Sequence, residues 1–447
     1  MNTSRDAGRV VIFLIIVVAA IGLCVLAWFA TRPGPLAFAA GKAVTLDAYA
    51  GHPTGVPTDF NATDAVARGR YLTDAADCEA CHSAEGGRAF AGGRAFKTAF
   101  GTLYSPNITP DAQTGIGAWS DADFLRALHQ GVSRDGTRLY PAFPYAAYTY
   151  LTDEDVLAIR AYLLTLTPVR STPPDNTLAF PFNQRWLMSV WSSLFNPNER
   201  FRPAADRSPE WNRGAYLVEG LGHCGDCHTP RNALQALDNG HKFAGAIADG
   251  WRAYNITMDQ GSGIGGWSET ELAEYLSTGH ATGGGTASGP MAEAVEFSLS
   301  RLTPGDIHAL AVYLRSVPPI GTPDLPPPNE SPASPAPKQI HAVSADTLGM
   351  QVFEGVCASC HSWTGVSLLA PVATLTGARA VNDPTAMNVA QVVLRGSQWH
   401  AADRALLMPA FRAAYSDREI AAVANYVTAR FGAQPSAITA ERVHELR

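Results

Sequence analysis

The chain has 447 residues, 46% of them apolar and 16% charged, with a formal net charge of −7. That length holds about three domains of roughly 100–200 residues each, and the apolar share is enough for globular cores. The acidic balance argues against a nucleic-acid partner, which calls for a basic face.

Residues 10–31 (VVIFLIIVVAAIGLCVLAWFAT) carry no charge. As a helix rising about 1.5 Å per residue they are long enough to cross a hydrocarbon core of about 30 Å. Arg5 and Arg9 precede the run, which puts Met1 in the cytoplasm and the bulk of the chain on the periplasmic side. The competing reading is a cleaved signal peptide with its site at Ala37-Phe38-Ala39. An apolar run of this length, closed by Trp28 and Arg32, suits a retained anchor better. Residues 1–33 are therefore expected to be a membrane anchor.

Cys24 lies in that run, and the other six cysteines form three pairs: Cys78/Cys81, Cys224/Cys227 and Cys357/Cys360. His82, His228 and His361 follow the pairs directly, which is the attachment pattern of c-type haem. The two thiols add to the porphyrin vinyl groups, and the adjacent imidazole reaches the iron. A structural zinc site needs four ligands, usually from two pairs, and a redox dithiol does not require the histidine. Three covalently bound haem c groups are expected. Haem c is attached outside the cytoplasm, in agreement with the topology drawn from Arg5 and Arg9.

The surroundings of the pairs repeat. Arg68-Gly69-Arg70-Tyr71-Leu72 and Arg213-Gly214-Ala215-Tyr216-Leu217 precede the first two, and a looser copy runs from Leu348 to Phe353. Asn107-Ile108-Thr109 leads to Trp119, and Asn255-Ile256-Thr257 to Trp267, with the same spacing. The third copy lacks this block. Each copy closes with a helix whose start reads as a capping box: Thr152 with Asp155, Thr303 with Asp306, Ser416 with Glu419. A tyrosine follows each cap by ten residues, at Tyr162, Tyr313 and Tyr426.

The expected fold is mainly α: three tandem class I cytochrome c domains after one N-terminal transmembrane helix. The expected domains are 61–168, 205–317 and 340–432. Residues 318–339 are rich in proline and serine and predict an extended spacer, leaving the third domain either mobile or strapped along the second. Residues 169–204 hold Phe180, Phe182, Trp186, Trp191, Phe195 and Phe201. Such aromatic density predicts packing between the first two domains, or a docking surface for a partner subunit.

From about residue 65 to 431 the chain resembles the triheme cytochrome c subunits of membrane-bound periplasmic dehydrogenases for alcohol, gluconate, fructose and aldehyde. The stretches HCGDCHTPRN, LYPAFPY, SGPMAEAV and LMPAF carry the likeness. The resemblance implies an electron-transfer and membrane-anchoring subunit with no substrate-oxidising site of its own. It would take electrons from a catalytic subunit of flavin, quinoprotein or molybdenum type and pass them to ubiquinone or a terminal oxidase. The chain departs from better-known members in its N-terminal segment and at LYPAFPY.

An electron-transfer haem commonly takes methionine as second axial ligand. Met291 in SGPMAEAV follows Trp267 by 24 residues, and Met408 in LMPAF precedes the Ser416 cap by eight; both are expected metal ligands. The same 24-residue count from Trp119 lands on Phe143, which cannot bind iron. Haem 1 then takes His129, takes Met188 or a residue of another domain, or keeps an open sixth position shielded by Phe143. The last is the favoured expectation, with a lower potential than the other two haems. Two further functions compete: a free-standing membrane cytochrome between the quinone pool and an oxidase or reductase, and an enzyme acting through an open haem 1, for example on peroxide.

Overall fold

A computed structural model of the chain describes residues 31–58, 60–61, 64–281, 284–331, 347–401 and 404–447, with isolated positions among the first thirty. Most of 10–31, read above as an anchor, lies outside the described residues. Among those described, no helix is long and apolar enough to cross a membrane.

The structure is mainly helical. The first unit runs α1 (Ala65–Ala75), α2 (Cys78–His82), the hairpin β1 (Ala95–Thr98) and β2 (Gly101–Tyr104), α3 (Asp121–Gln130), α4 (Tyr145–Tyr148) and α5 (Asp153–Leu163). After α6 (Leu187–Phe195), the second unit runs α7 (Pro209–Tyr216), α8 (Gly225–His228), β3 (Ala246–Ala248), β4 (Trp251–Ala253), α9 (Glu269–Thr278), β5 (His280–Ala281), β6 (Gly285–Thr286), α10 (Pro290–Phe297) and α11 (Pro304–Leu314). The third runs α12 (Thr347–Val352), α13 (Ala358–His361), α14 (Met387–Arg395), β7 (Ser397–Ala401), β8 (Arg404–Met408) and α15 (Asp417–Phe431). The sequence reading ended the third unit at 432. The chain continues instead into α16 (Ala440–Leu446), which buries Val443 and Leu446 in the third core.

In each unit the first helix crosses the last at a glycine. A Cβ on Gly69 would stand 1.8 Å from the Ala158 carbonyl oxygen, on Gly214 2.0 Å from that of Ala309, and on Gly349 2.3 Å from that of Ala422. The side chains of Tyr162, Tyr313 and Tyr426, the tyrosines ten residues past each cap, close the same three contacts. The backbones meet because no side chain stands between them.

The first two units share one core, in which Leu72, Tyr148, Leu151 and Ile159 pack with Tyr216, Leu221 and Leu310. The third unit has a separate core around Phe353, Ile420 and Phe431. The capping boxes divide along the same line. Ser416 and Glu419 close a full box, with the Ser416 N–H donating to Glu419 at 2.8 Å. Thr152 and Thr303 accept the N–H groups of Asp155 and Asp306, but those carboxylates turn away from their own helices towards the neighbouring unit.

The described part of the proline-rich segment is strapped down. Thr322 donates to the Ala244 carbonyl at 2.9 Å, Arg379 to that of Pro326 at 2.6 Å, and Asn329 receives the Gly377 N–H at 2.8 Å. The third unit also docks directly on β4. Arg252 pairs with Asp383 at 3.0 Å and forks onto Asp324 at 2.9 Å, and the Asn388 side chain bonds both backbone groups of Arg252. The aromatic linker packs between the first two units on one side and is open on the other. Trp191, Phe195 and Phe201 pack inward, whereas Phe180, Phe182 and Trp186 are exposed.

Candidate haem sites

Each Cys-x-x-Cys-His motif forms or ends a short helix: α2, then α8 with Cys224 just before it, then α13 with Cys357 just before it. One helical turn sets both thiols and the imidazole of a motif on neighbouring positions. None of the six motif cysteines is paired in a disulfide.

The histidines share one arrangement. His82 Nδ1 lies 2.8 Å from the Pro106 carbonyl oxygen, His228 Nδ1 2.6 Å from that of Tyr254, and His361 Nδ1 2.6 Å from that of Ala373. A carbonyl can only accept, so each Nδ1 carries the proton and each Nε2 keeps its lone pair. Burial lowers all three pKa values, which keeps the rings neutral. A neutral imidazole oriented through its other nitrogen is the form that ligates a metal. The residues present thus fit a covalently attached haem at each motif.

This geometry explains the repeated Asn-Ile-Thr block. Pro106 and Tyr254, whose carbonyls hold the histidines, immediately precede Asn107 and Asn255. The Asn107 amide donates to the Val169 carbonyl at 2.7 Å, and its oxygen accepts the Thr109 N–H at 2.9 Å. Asn255 repeats the pattern with Ile320 at 2.6 Å and Thr257 at 2.8 Å. The block clamps the orienting carbonyl to the segment that leaves the closing helix. The third unit supplies its carbonyl from Ala373 and needs no such block.

Met291 is the second residue of α10 and Met408 the last of β8; both are half-buried. The sequence placed them in proline-stiffened loops, whereas the structure places them at the edges of regular elements. Met408 pairs in register with Ser397 and packs against the third core. The helix of Met291 lies against α2 of the first unit, where Arg94 joins Glu293 at 2.5 Å and the Ala80 carbonyl at 2.8 Å. Phe143 occupies the turn before α4, its ring edge-on to Tyr148 at 5.5 Å.

His129 is only 2% exposed, although a helix end read as a surface position. Burial first, and then the nearby Arg200 guanidinium, lower its pKa to about 4. The desolvation cost outweighs the pull of the helix C-terminus on a positive charge. Its ring lies beside Asp153, 3.8 Å away, at the start of α5. Met188 lies on α6, half-buried.

Sequence reasoning missed His223 and Asp77. His223, just before Cys224, has a φ of 36° and stacks edge-on against Tyr148 at 5.5 Å. The Tyr148 hydroxyl donates to the Ala76 carbonyl at 2.8 Å, two residues before Cys78. Tyr148 and His223 thus join the first two attachment motifs. Asp77 has a φ of 51°, and burial pushes its carboxyl up to about 8. A histidine directly before the second motif was the one available signal. A cavity of about 180 Å³ lies behind these groups, between Phe143 and His223, roofed by Trp191 and Phe195.

A mainly helical chain whose Cys-x-x-Cys-His motifs each carry an oriented neutral histidine is a c-type cytochrome. Residues 66–167 match the cytochrome c family, and residues 344–427 match the family described as cytochrome c oxidase, cbb3-type, subunit III. The gluconate 2-dehydrogenase cytochrome c subunit of Pantoea cypripedii is 39% identical over 87% of this chain and 91% of its own length. The fructose dehydrogenase cytochrome subunit of Gluconobacter japonicus is 38% identical over 86% of this chain and 82% of its own. A nicotinate dehydrogenase subunit of Pseudomonas putida is 43% identical over 83% of this chain, which spans only 30% of that longer protein. The chain belongs to the family of cytochrome c subunits of membrane-bound dehydrogenases.

Proposed function

We propose that the chain binds three haem c groups and is the electron-transfer subunit of a periplasmic alcohol-, aldehyde- or sugar-type dehydrogenase. In this reading it delivers electrons to ubiquinone or a terminal oxidase, and residues 10–31 hold it on the cytoplasmic membrane. The observation that carries the reading is the threefold recurrence of a Cys-x-x-Cys-His motif whose histidine Nδ1 is fixed by a backbone carbonyl. Family membership supplies the context.

Cys78, Cys81, Cys224, Cys227, Cys357 and Cys360 would form the thioethers. His82, His228 and His361 would be the first axial ligands, and Met291 and Met408 the second at haems 2 and 3. Haem c supplies reversible one-electron carriage. The chain orients the histidines, excludes water from them and sets the mutual placement of the motifs. Tyr148 and His223 link the first motif to the second. The β3–β4 hairpin, whose outgoing strand leads to the Tyr254 carbonyl, links the second to the third unit through Arg252 and Asp383. Phe143 offers no ligand atom, so in this reading Cys78, Cys81 and His82 alone would hold haem 1. The relatives are named as subunits of gluconate, fructose and nicotinate dehydrogenases; by analogy, substrate oxidation belongs to a partner chain.

Purification from the native membrane tests the proposal. Intact mass should show three haem adducts on the chain, and a larger oxidoreductase subunit should co-purify. Fewer adducts would overturn the haem assignment. A membrane cytochrome with no partner would leave the free-standing quinone-to-oxidase carrier as the function.

A further inference from the structure

The linker helix α6 has two unlike faces. Trp191 and Phe195 point into the molecule. Trp191 donates its indole N–H to the Leu234 carbonyl at 2.9 Å and meets the Tyr145 ring edge-on at 6.0 Å. Trp186, Val190 and Leu194, spaced by four residues, form a stripe on the opposite side and are 64%, 56% and 38% exposed. Phe180 and Phe182, just upstream, extend this apolar surface. Five large apolar side chains in so short a stretch are more than scattered surface hydrophobics explain.

Two observations say what covers them. The first is continuity with the N-terminal apolar run. Arg32, the residue after that run, donates to the Leu194 carbonyl at 2.7 Å, and its guanidinium stands 4.9 Å from the Phe195 ring centroid. Arg32, where that run ends in the sequence, is thus held beside the exposed stripe. The second is charge. Residues 180–195 contain Arg185 and no acidic residue, so the stretch that bears the apolar face carries positive charge alone. Tryptophan and arginine around an apolar stripe suit the headgroup boundary of an anionic bilayer.

We propose that α6 is a second membrane contact: an interfacial helix that lays Trp186, Val190 and Leu194, with Phe180 and Phe182, into the outer leaflet beside the point where the N-terminal segment emerges. This rests on the reading of residues 10–31 as a membrane anchor. One span leaves a chain free to swivel about it. A second contact fixes the first two units against the lipid surface, with the cavity between Phe143 and His223 directly beneath the helix.

The test uses the full-length holoprotein, purified with any subunit it holds and reconstituted into phosphatidylethanolamine–phosphatidylglycerol vesicles. A photoreactive benzophenone side chain replaces Val190, Phe13 or Glu445 in separate preparations, and adducts are identified by mass spectrometry after illumination. Lipid adducts at positions 13 and 190, and none at 445, are the expected result. Lipid adducts at 13 but none at 190 would overturn the interfacial helix and leave the anchor standing. Adducts from 190 to another polypeptide would overturn it in favour of a protein partner, and equal lipid adducts at 190 and 445 would reduce it to non-specific contact. No lipid adduct at 13 would defeat the anchor reading itself, and the inference with it.

Discussion

The Tyr71 hydroxyl donates a 2.6 Å hydrogen bond to Asp306, in the other unit's closing helix. Tyr216 returns the contact, donating to Asp155 at 2.6 Å. Tyr71 and Tyr216 hold matching places in the two first helices, and Asp155 and Asp306 matching places in the two last. The exchange makes a pseudo-twofold joint between the first two haem-binding units.

The two halves of that joint should respond unequally to mutation. Tyr71→Phe removes the hydrogen bond to a buried carboxylate, worth about 1.5–3 kcal/mol, and the weaker one its oxygen accepts from the Thr303 N–H at 3.2 Å. Asp306→Ala also strips Arg213 of its partner; the two make a two-pronged pair at 2.8 and 2.7 Å, with side chains 8% and 1% exposed. Breaking one side of such a buried pair costs about 3–5 kcal/mol. Denaturant unfolding of the holoprotein should therefore rank Asp306→Ala below Tyr71→Phe. Equal losses would show that the pair with Arg213 contributes little.

The glycine crossings make a sharper case. Alanine at Gly69 would drive a methyl to 1.8 Å from the Ala158 carbonyl oxygen, far inside contact distance. The neighbour is backbone and cannot rotate away, so the helices must part. We expect Gly69→Ala to cost about 3 kcal/mol or more, the upper end of overpacking effects. Gly349→Ala, at 2.3 Å from Ala422, should be milder. The yield and unfolding midpoint of holoprotein measure both, and a Gly69→Ala protein as stable as the wild type would refute the close approach.

Much of this architecture is legible in the sequence because it depends on local chemistry. The three Cys-x-x-Cys-His motifs, the Asn-Ile-Thr blocks and the helix caps each act within a few residues of themselves. What escaped depends on partners far along the chain. Asp155 reads as a capping residue, and its backbone N–H does meet Thr152, yet its carboxylate goes to Tyr216, 61 residues on. Of the three closing helices only that of the third unit, which has Gln351 where the others have tyrosine, keeps its box intact in space. His223 stands out in the sequence only by its place before Cys224; its meaning comes from Tyr148 in another unit. α16 was missed because it lies beyond the repeat that framed the reading.

His129 gives a pH prediction. Its imidazole ionises near pH 6.5 in the unfolded chain and near 4 in the folded one. As pH falls, the unfolded chain takes up the proton first. The stability tied to the neutral ring is therefore present above about pH 6.5 and lost between about 6.5 and 4, to a maximum of about 3 kcal/mol. His129→Gln, which keeps a polar group but cannot ionise, should flatten the fall in melting temperature between pH 7 and pH 4.5. An unchanged slope would mean that the ring takes up its proton as readily in the folded protein as in the unfolded chain.

The haem ligands can be counted with carbon monoxide. Phe143 stands at the offset from Trp119 that Met291 keeps from Trp267, and only the latter can offer sulfur to iron. In the reduced wild-type protein, one haem of three should bind the gas. Met291→Ala and Met408→Ala should each raise the count to two, because each opens one more iron. Phe143→Met should lower it to none and raise the potential of haem 1, since a thioether favours the reduced metal. The structure leaves room for that exchange: Phe143 is half-buried in a turn before α4, packed against Tyr148 rather than locked in the core. Carbon-monoxide difference spectra and a redox titration read both effects. A wild-type protein that binds no carbon monoxide would show that haem 1 takes a sixth ligand from elsewhere in the chain. Met188→Ala and His129→Gln would then identify the donor by restoring binding.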